Sequence, residues 1–179
     1  MKKQLSITFL ALCLFMASCN SSSEQQNEAA AKTSQETPEK TDEKSFPNLQ
    51  FERLDGTTFN LSEMKGKRVF LSFWATWCGP CIKEMPSIEE AKKELGDEVE
   101  FILVSDEEKD LIQSFAQKKG YNLSFVKAGF SLDELGITGL PTNIILDKEG
   151  KQEAFLVGSR NWSNKLSMAI IKGAGDSAQ

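Results

Sequence analysis

The stretch Trp77-Cys78-Gly79-Pro80-Cys81 joins an apolar run to a helix-like segment, and this junction constrains the fold more than any other part of the chain. The run before it, Val69-Phe70-Leu71-Ser72-Phe73-Trp74, is nearly continuous, as in a parallel strand covered on both faces. Cysteines at i and i+3 at the head of a helix lie one turn apart, close enough to close a small disulfide. The first cysteine sits where unpaired backbone N–H groups and the positive end of the helix dipole favour a thiolate. That setting brings a thiol pKa from ~8.5 into roughly 3.5–7.5 and makes the thiol nucleophilic at neutral pH. Pro80 suits the first helical turn because it gives up an N–H that has no helical partner there.

The same cysteine spacing occurs in zinc sites, where a second ligand pair must follow. This chain has no histidine and no cysteine beyond Cys81, which argues against a closed zinc site. Ile82 stands where haem attachment needs histidine. A plain structural disulfide is the remaining competitor to redox chemistry, which the placement at a helix start favours. No metal and no cofactor is expected.

Phe73-Trp74-Ala75-Thr76-Trp77-Cys78-Gly79-Pro80-Cys81 resembles the active-site stretch of the thioredoxin superfamily. Gly139-Leu140-Pro141-Thr142, just before Asn143-Ile144-Ile145-Leu146, resembles that superfamily's cis-proline loop. The two motifs in this order are more specific than either alone. Phe59-Asn60-Leu61-Ser62 and Lys65-Gly66-Lys67 resemble the entry to the TlpA/ResA-like branch, a group of membrane-tethered periplasmic thiol-disulfide oxidoreductases. The resemblance runs over residues 46 to 173. It implies a thioredoxin-like α/β fold, a central mixed sheet flanked by helices, with an N-terminal β-hairpin extension.

The 179 residues leave room for one domain plus extensions, and a net charge of −5 offers no basic footprint for nucleic acid. Met1-Lys2-Lys3 is a short positive start, and Leu5 to Met16 is too short for an ordinary membrane span of ~20 residues. It reads as an export signal. Met16-Ala17-Ser18-Cys19 resembles a bacterial lipoprotein processing site, with ordinary signal cleavage near the same point as the competing reading. Under lipidation, residues 1–18 leave with Cys13, Cys19 is blocked as a thioether, and Cys78 and Cys81 are the only free thiols. Residues 19–45 carry no aromatic and no aliphatic larger than alanine, so they read as a disordered tether. As flexible coil they would reach about 25–30 Å. Residues 46–179 are the thioredoxin-like domain.

Along that domain, Leu49–Leu54 and Thr57–Phe59 read as strands around an Asp55-Gly56 turn, and Leu61–Met64 as one helical turn. Strands are expected at 68–74, 101–104, 123–126, 143–147 and 152–157, with a helical turn at 131–135. Helical spacing predicts a helix from Gly79 to Leu95, with Pro86 inside it, and another from Asp106 to Lys119 with Leu111, Ile112 and Phe115 inward. A closing helix from Asn161 to Lys172 would carry Trp162, Leu166, Ala169 and Ile170 on one face.

Cys78, taken as exposed at the helix start, is the expected attacking thiol, and Cys81, one turn inside, the resolving one. Trp77 is expected to cover one side of the pair, with Gly79 and Pro80 between the thiols at the substrate face. The resemblance implies that Pro141 follows a cis bond, packs against the disulfide and leaves the Leu140 backbone to pair with a substrate strand. Thioredoxins proper carry a buried aspartate where this chain has Ser72, so a proton acceptor must come from elsewhere. Glu84, three residues after Cys81 on the same helical face, fits that need, since a glutamate at this place lies near the active site in the TlpA/ResA-like branch. A solvated glutamate paired with a lysine is the competing reading.

The expected activity is thiol-disulfide exchange on client proteins outside the cytoplasm, as a reductant, for example in cytochrome c maturation. A disulfide oxidant or isomerase on the same fold is the nearest alternative, and a metal chaperone or structural module a more distant one. Expected partners are protein disulfides or dithiols, a membrane thiol reductase as electron donor, and a membrane reached through Cys19 and facing the periplasm. The protein is expected to be a monomer.

Overall fold

Strand β3 (Arg68–Phe73) buries its last five residues and is an interior strand of a seven-stranded mixed sheet. The computed structural model describes residues 46–96 and 98–173. The expected signal, tether and Cys19 lie outside the described residues.

The other elements are β1 (Gln50–Arg53), β2 (Thr58–Asn60), α1 (Gly79–Leu95), β4 (Val99–Ser105), α2 (Lys109–Lys119), β5 (Ser124–Ala128), β6 (Thr142–Leu146), β7 (Gln152–Val157) and α3 (Lys165–Lys172). Short 3-10 turns occupy Leu61–Met64 and Leu132–Leu135. The strand order is β2-β1-β5-β4-β3-β6-β7. β3, β4 and β5 are parallel neighbours, while β6 and β7 continue the sheet antiparallel. The N-terminal hairpin extends the opposite edge, because β1 pairs antiparallel with β5. Its turn needs Gly56 at φ 89° and is held by the Asp55 carboxylate, which accepts the Thr57 N–H and hydroxyl.

Two apolar clusters sit on the two faces of the sheet. One gathers Phe70, Trp74, Phe101 and Ile145 with the inner residues of all three α-helices, including Met85, Ile88, Ile112 and Ile171. The other joins Phe51, Leu71, Phe73, Val104 and Ile144 to Leu61 and Leu132 of the 3-10 turns. Trp74 packs edge-on to Phe125, and Phe70 packs edge-on to Trp162.

Two helices depart from the sequence reading. α2 starts at Lys109 rather than Asp106, because the Glu107 carboxylate is engaged elsewhere and Glu108 becomes the N-cap. Its inward residue is Ile112, with Phe115 half-buried, and Leu111 is 54% exposed. α3 starts at Lys165, since Asn164 caps it by accepting the Ser167 N–H. Trp162 therefore belongs to the preceding loop. The buried face of α3 is Ser167, Met168 and Ile171, and Leu166 is exposed.

Candidate active site

At the carboxyl end of β3 the chain turns through Ala75-Thr76-Trp77 into α1. Cys78 is the N-cap of α1, Gly79 and Pro80 form its exposed first turn, and Cys81 faces inward. The two cysteines are joined in a disulfide, with Cα atoms 5.3 Å apart. Cys78 Sγ also accepts the Cys81 backbone N–H at 3.3 Å. The first turn of α1 holds no acidic residue, so nothing there opposes a thiolate at the positive end of the helix.

Cys78 is not exposed in this disulfide form. It is 4% exposed against 1% for Cys81. Its sulfur folds back over the helix start to meet Cys81, and its backbone N–H is tied to the Ala75 carbonyl, which draws it into the cluster around Trp74. Trp77 is 74% exposed, so the ring expected to cover the pair presents most of its surface to solvent.

The loop before Cys78 is anchored by a residue that sequence reasoning missed. Thr76 donates both its N–H and its hydroxyl to Glu107, each at 2.7 Å, and Ser105 donates its hydroxyl to the same carboxylate. Glu107 follows β4, the parallel neighbour of β3, so the two strand ends are clasped beside the dithiol. Nothing in the local sequence around Glu107 marks it, because its partner is 31 residues away.

The Leu140–Pro141 bond is cis. Pro141 is buried, and its carbonyl accepts the Gly158 N–H at 2.8 Å. Leu140 is half-buried and packs against the cluster that contains both cysteines.

Glu84 is 2% exposed and has no lysine partner among the described residues. Its carboxylate accepts from the Asn143 side chain at 3.3 Å, the Arg160 backbone N–H at 3.1 Å and the Trp162 indole N–H at 3.3 Å. Burial raises its pKa above the ordinary glutamate value, while those hydrogen bonds and the Arg160 charge pull the other way. Asn143 stands opposite Ser72 across the β3–β6 pair, so the polar positions 72, 143 and 84 meet under α1. Asn143 was legible in principle. It is a polar residue in the run Asn143-Ile144-Ile145-Leu146, and strand alternation puts it on the same face as Ile145.

Among the described residues no helix is long and apolar enough to cross a membrane. The clefts lined by Phe46, Leu61 and Leu146, and by Arg68, Glu98 and Glu153, lie by the start of β3, away from the dithiol at its far end.

The Redoxin family model matches residues 40–161. A thiol-disulfide oxidoreductase ResA of Bacillus thuringiensis subsp. konkukian is 40% identical over 116 residues, 60% of this chain and 65% of that protein. The ResA of Bacillus anthracis is 36% identical over 123 residues, 65% of this chain and 70% of that one. The chain thus spans just under two thirds of the first relative's length and slightly more of the second's. A crystal structure of an exposed lipoprotein thioredoxin from Streptococcus pneumoniae superposes with a TM-score of 0.58 at 27% identity, covering 73% of this chain and 99% of that one. With the family model over more than half of its residues and a ResA more than a third identical over 70% of that protein's length, the chain belongs to the Redoxin family, within its ResA-like thiol-disulfide oxidoreductases.

Proposed function

We propose that this chain reduces disulfide bonds of client proteins outside the cytoplasm, cycling between the Cys78–Cys81 disulfide and the dithiol. The observation that carries the reading is the position of Cys78 Sγ, which caps α1 and accepts the Cys81 N–H. A thiolate formed there is stabilised by the helix end.

In the reducing direction, Cys78 thiolate attacks one sulfur of the client disulfide. The client S–S bond breaks, a mixed disulfide forms, and the first client sulfur leaves and takes a proton. Cys81 then loses its proton and attacks Cys78 Sγ. The mixed disulfide breaks, the second client thiol departs, and two electrons have passed to the client. A dithiol reductase at the membrane restores the pair by the reverse exchange. Glu84, buried one turn beyond Cys81, takes the Cys81 proton during resolution and returns it during recharging. Trp77, Gly79, Pro80 and the Leu140–Pro141 loop form the surface that meets the client.

Residues 1–18 act as the export signal, Cys19 as the lipidated anchor and 19–45 as the tether in this reading. The lipoprotein character of the pneumococcal neighbour supports it. Both thiols of the pair come from one chain, so this reading needs no second copy.

The deciding measurement is the reduction potential of the pair, read against a glutathione or dithiothreitol ladder. A value near the ~−270 mV of thioredoxin fits a reductant, whereas one near the ~−120 mV of a strong oxidant overturns the direction.

A further inference from the structure

The three donors that hold Glu84 are of two kinds. Oε2 receives the Arg160 backbone N–H and the Trp162 indole N–H. Neither group can accept a hydrogen bond. Oε1 receives Asn143 Nδ2. A side-chain amide has an acceptor as well as donors, and the Asn143 acceptor, Oδ1, is buried with no hydrogen-bond partner among the described residues.

A proton on Oε2 would take one of the two lone pairs that receive these N–H groups and leave at least one donor unpaired in a buried site. A proton on Oε1 meets an amide that can turn over. We propose that Glu84 takes and releases its proton at Oε1, and that the Asn143 side chain is a positioning switch that follows it. With the carboxylate ionised, Nδ2–H donates to Oε1. With the carboxyl neutral, the amide is reversed and Oδ1 accepts the Oε1–H. The orphaned Oδ1 is then the acceptor of the second state.

The surroundings leave this pair isolated. From the 158–162 loop the charged neighbour is Arg160, whose guanidinium lies 5.2 Å over the Trp162 ring. From α1 the titratable neighbour is Cys81, once reduced. β3 and β6 present the neutral Ser72 and Asn143, and β7 places the apolar Leu156 opposite Asn143. No other side chain is hydrogen-bonded to the carboxylate among the described residues. The catalytic consequence, that Asn143 sets how readily Cys81 loses its proton, rests on the proposed role of Glu84; the switch itself does not.

The test is a pH titration of the full-length chain by NMR, following the Glu84 carboxyl carbon, the Asn143 side-chain amide and the Trp162 indole N–H. The Asn143 amide should titrate at the Glu84 midpoint, while the Trp162 signal keeps its hydrogen-bonded position. If Trp162 loses its bond and Asn143 stays still, the proton sits on Oε2 and the proposal fails. Glu84→Gln gives a second arm. Its oxygen must occupy the place facing two donors, so its NH2 faces Asn143 and forces the reversed amide at every pH. The Asn143 amide shifts in Glu84→Gln should match the acid form of the parent; a match to the ionised form overturns the switch. Asn143→Leu should move the Glu84 midpoint up by about one unit, because the lost donor served the charged form, where hydrogen bonds are strongest. An unmoved midpoint also overturns it. If the midpoint moves while disulfide exchange in Asn143→Leu keeps the parental rate at every pH, the switch stands and the role of Glu84 in exchange is what fails.

Discussion

Thr76, two residues before Cys78, gives both of its hydrogen-bond donors to Glu107, and each bond is 2.7 Å long. The carboxylate reaches across from the end of β4 and fixes the last turn of chain before the dithiol. Hydrogen bonds to a charged group contribute roughly 1.5–3 kcal/mol each when well shielded, and this one is only partly so. Glu107→Ala should therefore lower unfolding stability by about 2 kcal/mol, read by urea denaturation. Amide exchange at Thr76 should accelerate in the same variant. A change in stability without faster exchange at Thr76 would mean that the loop is held by other contacts.

The order of attack is testable by trapping. Cys81→Ser should accumulate mixed disulfides with client proteins, because Cys78 can attack but nothing resolves. Cys78→Ser should accumulate few. Non-reducing electrophoresis followed by reduction reads the two outcomes, and equal trapping would assign the roles differently.

Glu84→Gln removes the buried carboxyl group one turn after Cys81 while keeping the side-chain size. The alkylation pKa of Cys78 should fall, since a neighbouring carboxylate disfavours the thiolate. Disulfide exchange near neutral pH should nonetheless slow by about 10²-fold if a general base has been lost. The opposite signs separate this from a merely destabilised site. Alkylation and stopped-flow exchange across a pH series measure both.

The same residue sets a pH dependence of stability. Its folded pKa is raised above the ordinary 4.5 by burial. Between those two values the folded chain binds more protons than the unfolded one, so stability falls as pH rises through that window. The penalty is absent below 4.5 and complete above the folded value. Glu84→Gln should flatten this part of the pH–stability curve, and denaturant midpoints taken at intervals across it decide the matter.

Anchoring is checked on the whole chain. Cys19→Ala should shift the protein from the membrane pellet to the soluble fraction or leave the signal uncleaved. Unchanged partitioning and processing would remove the lipid anchor from the reading.

Much of the fold was legible because its signals are local. The Cys78–Cys81 spacing, the Pro80 helix start and the run into α1 dictate a strand, a capped helix and a disulfide within reach of one turn, and α1 spans Gly79–Leu95 as its periodicity predicts. The Asp55-Gly56 turn and the strands at 152–157 and 68–73 follow from the same short-range chemistry. Distance along the chain decided the rest. Ile112 lies inward as its spacing predicts, but Leu111 and Leu166, which fit the same apolar faces, are exposed and Met168 takes the inward place on α3, because helix start points depended on Glu107 being drawn to Thr76 and on Asn164 capping α3. Cys78 could be placed at a helix start from sequence, but its burial came from the closed disulfide and the packing around Trp74. Glu84 shows the division most clearly. Its spacing from Cys81 put it on the right face, whereas its burial and its three donors come from residues 143, 160 and 162, at least 59 positions away. Local sequence sets torsion preferences and periodicity, but the desolvation and hydrogen bonding that tune a carboxylate arise only when β6 and the loop after β7 fold over α1.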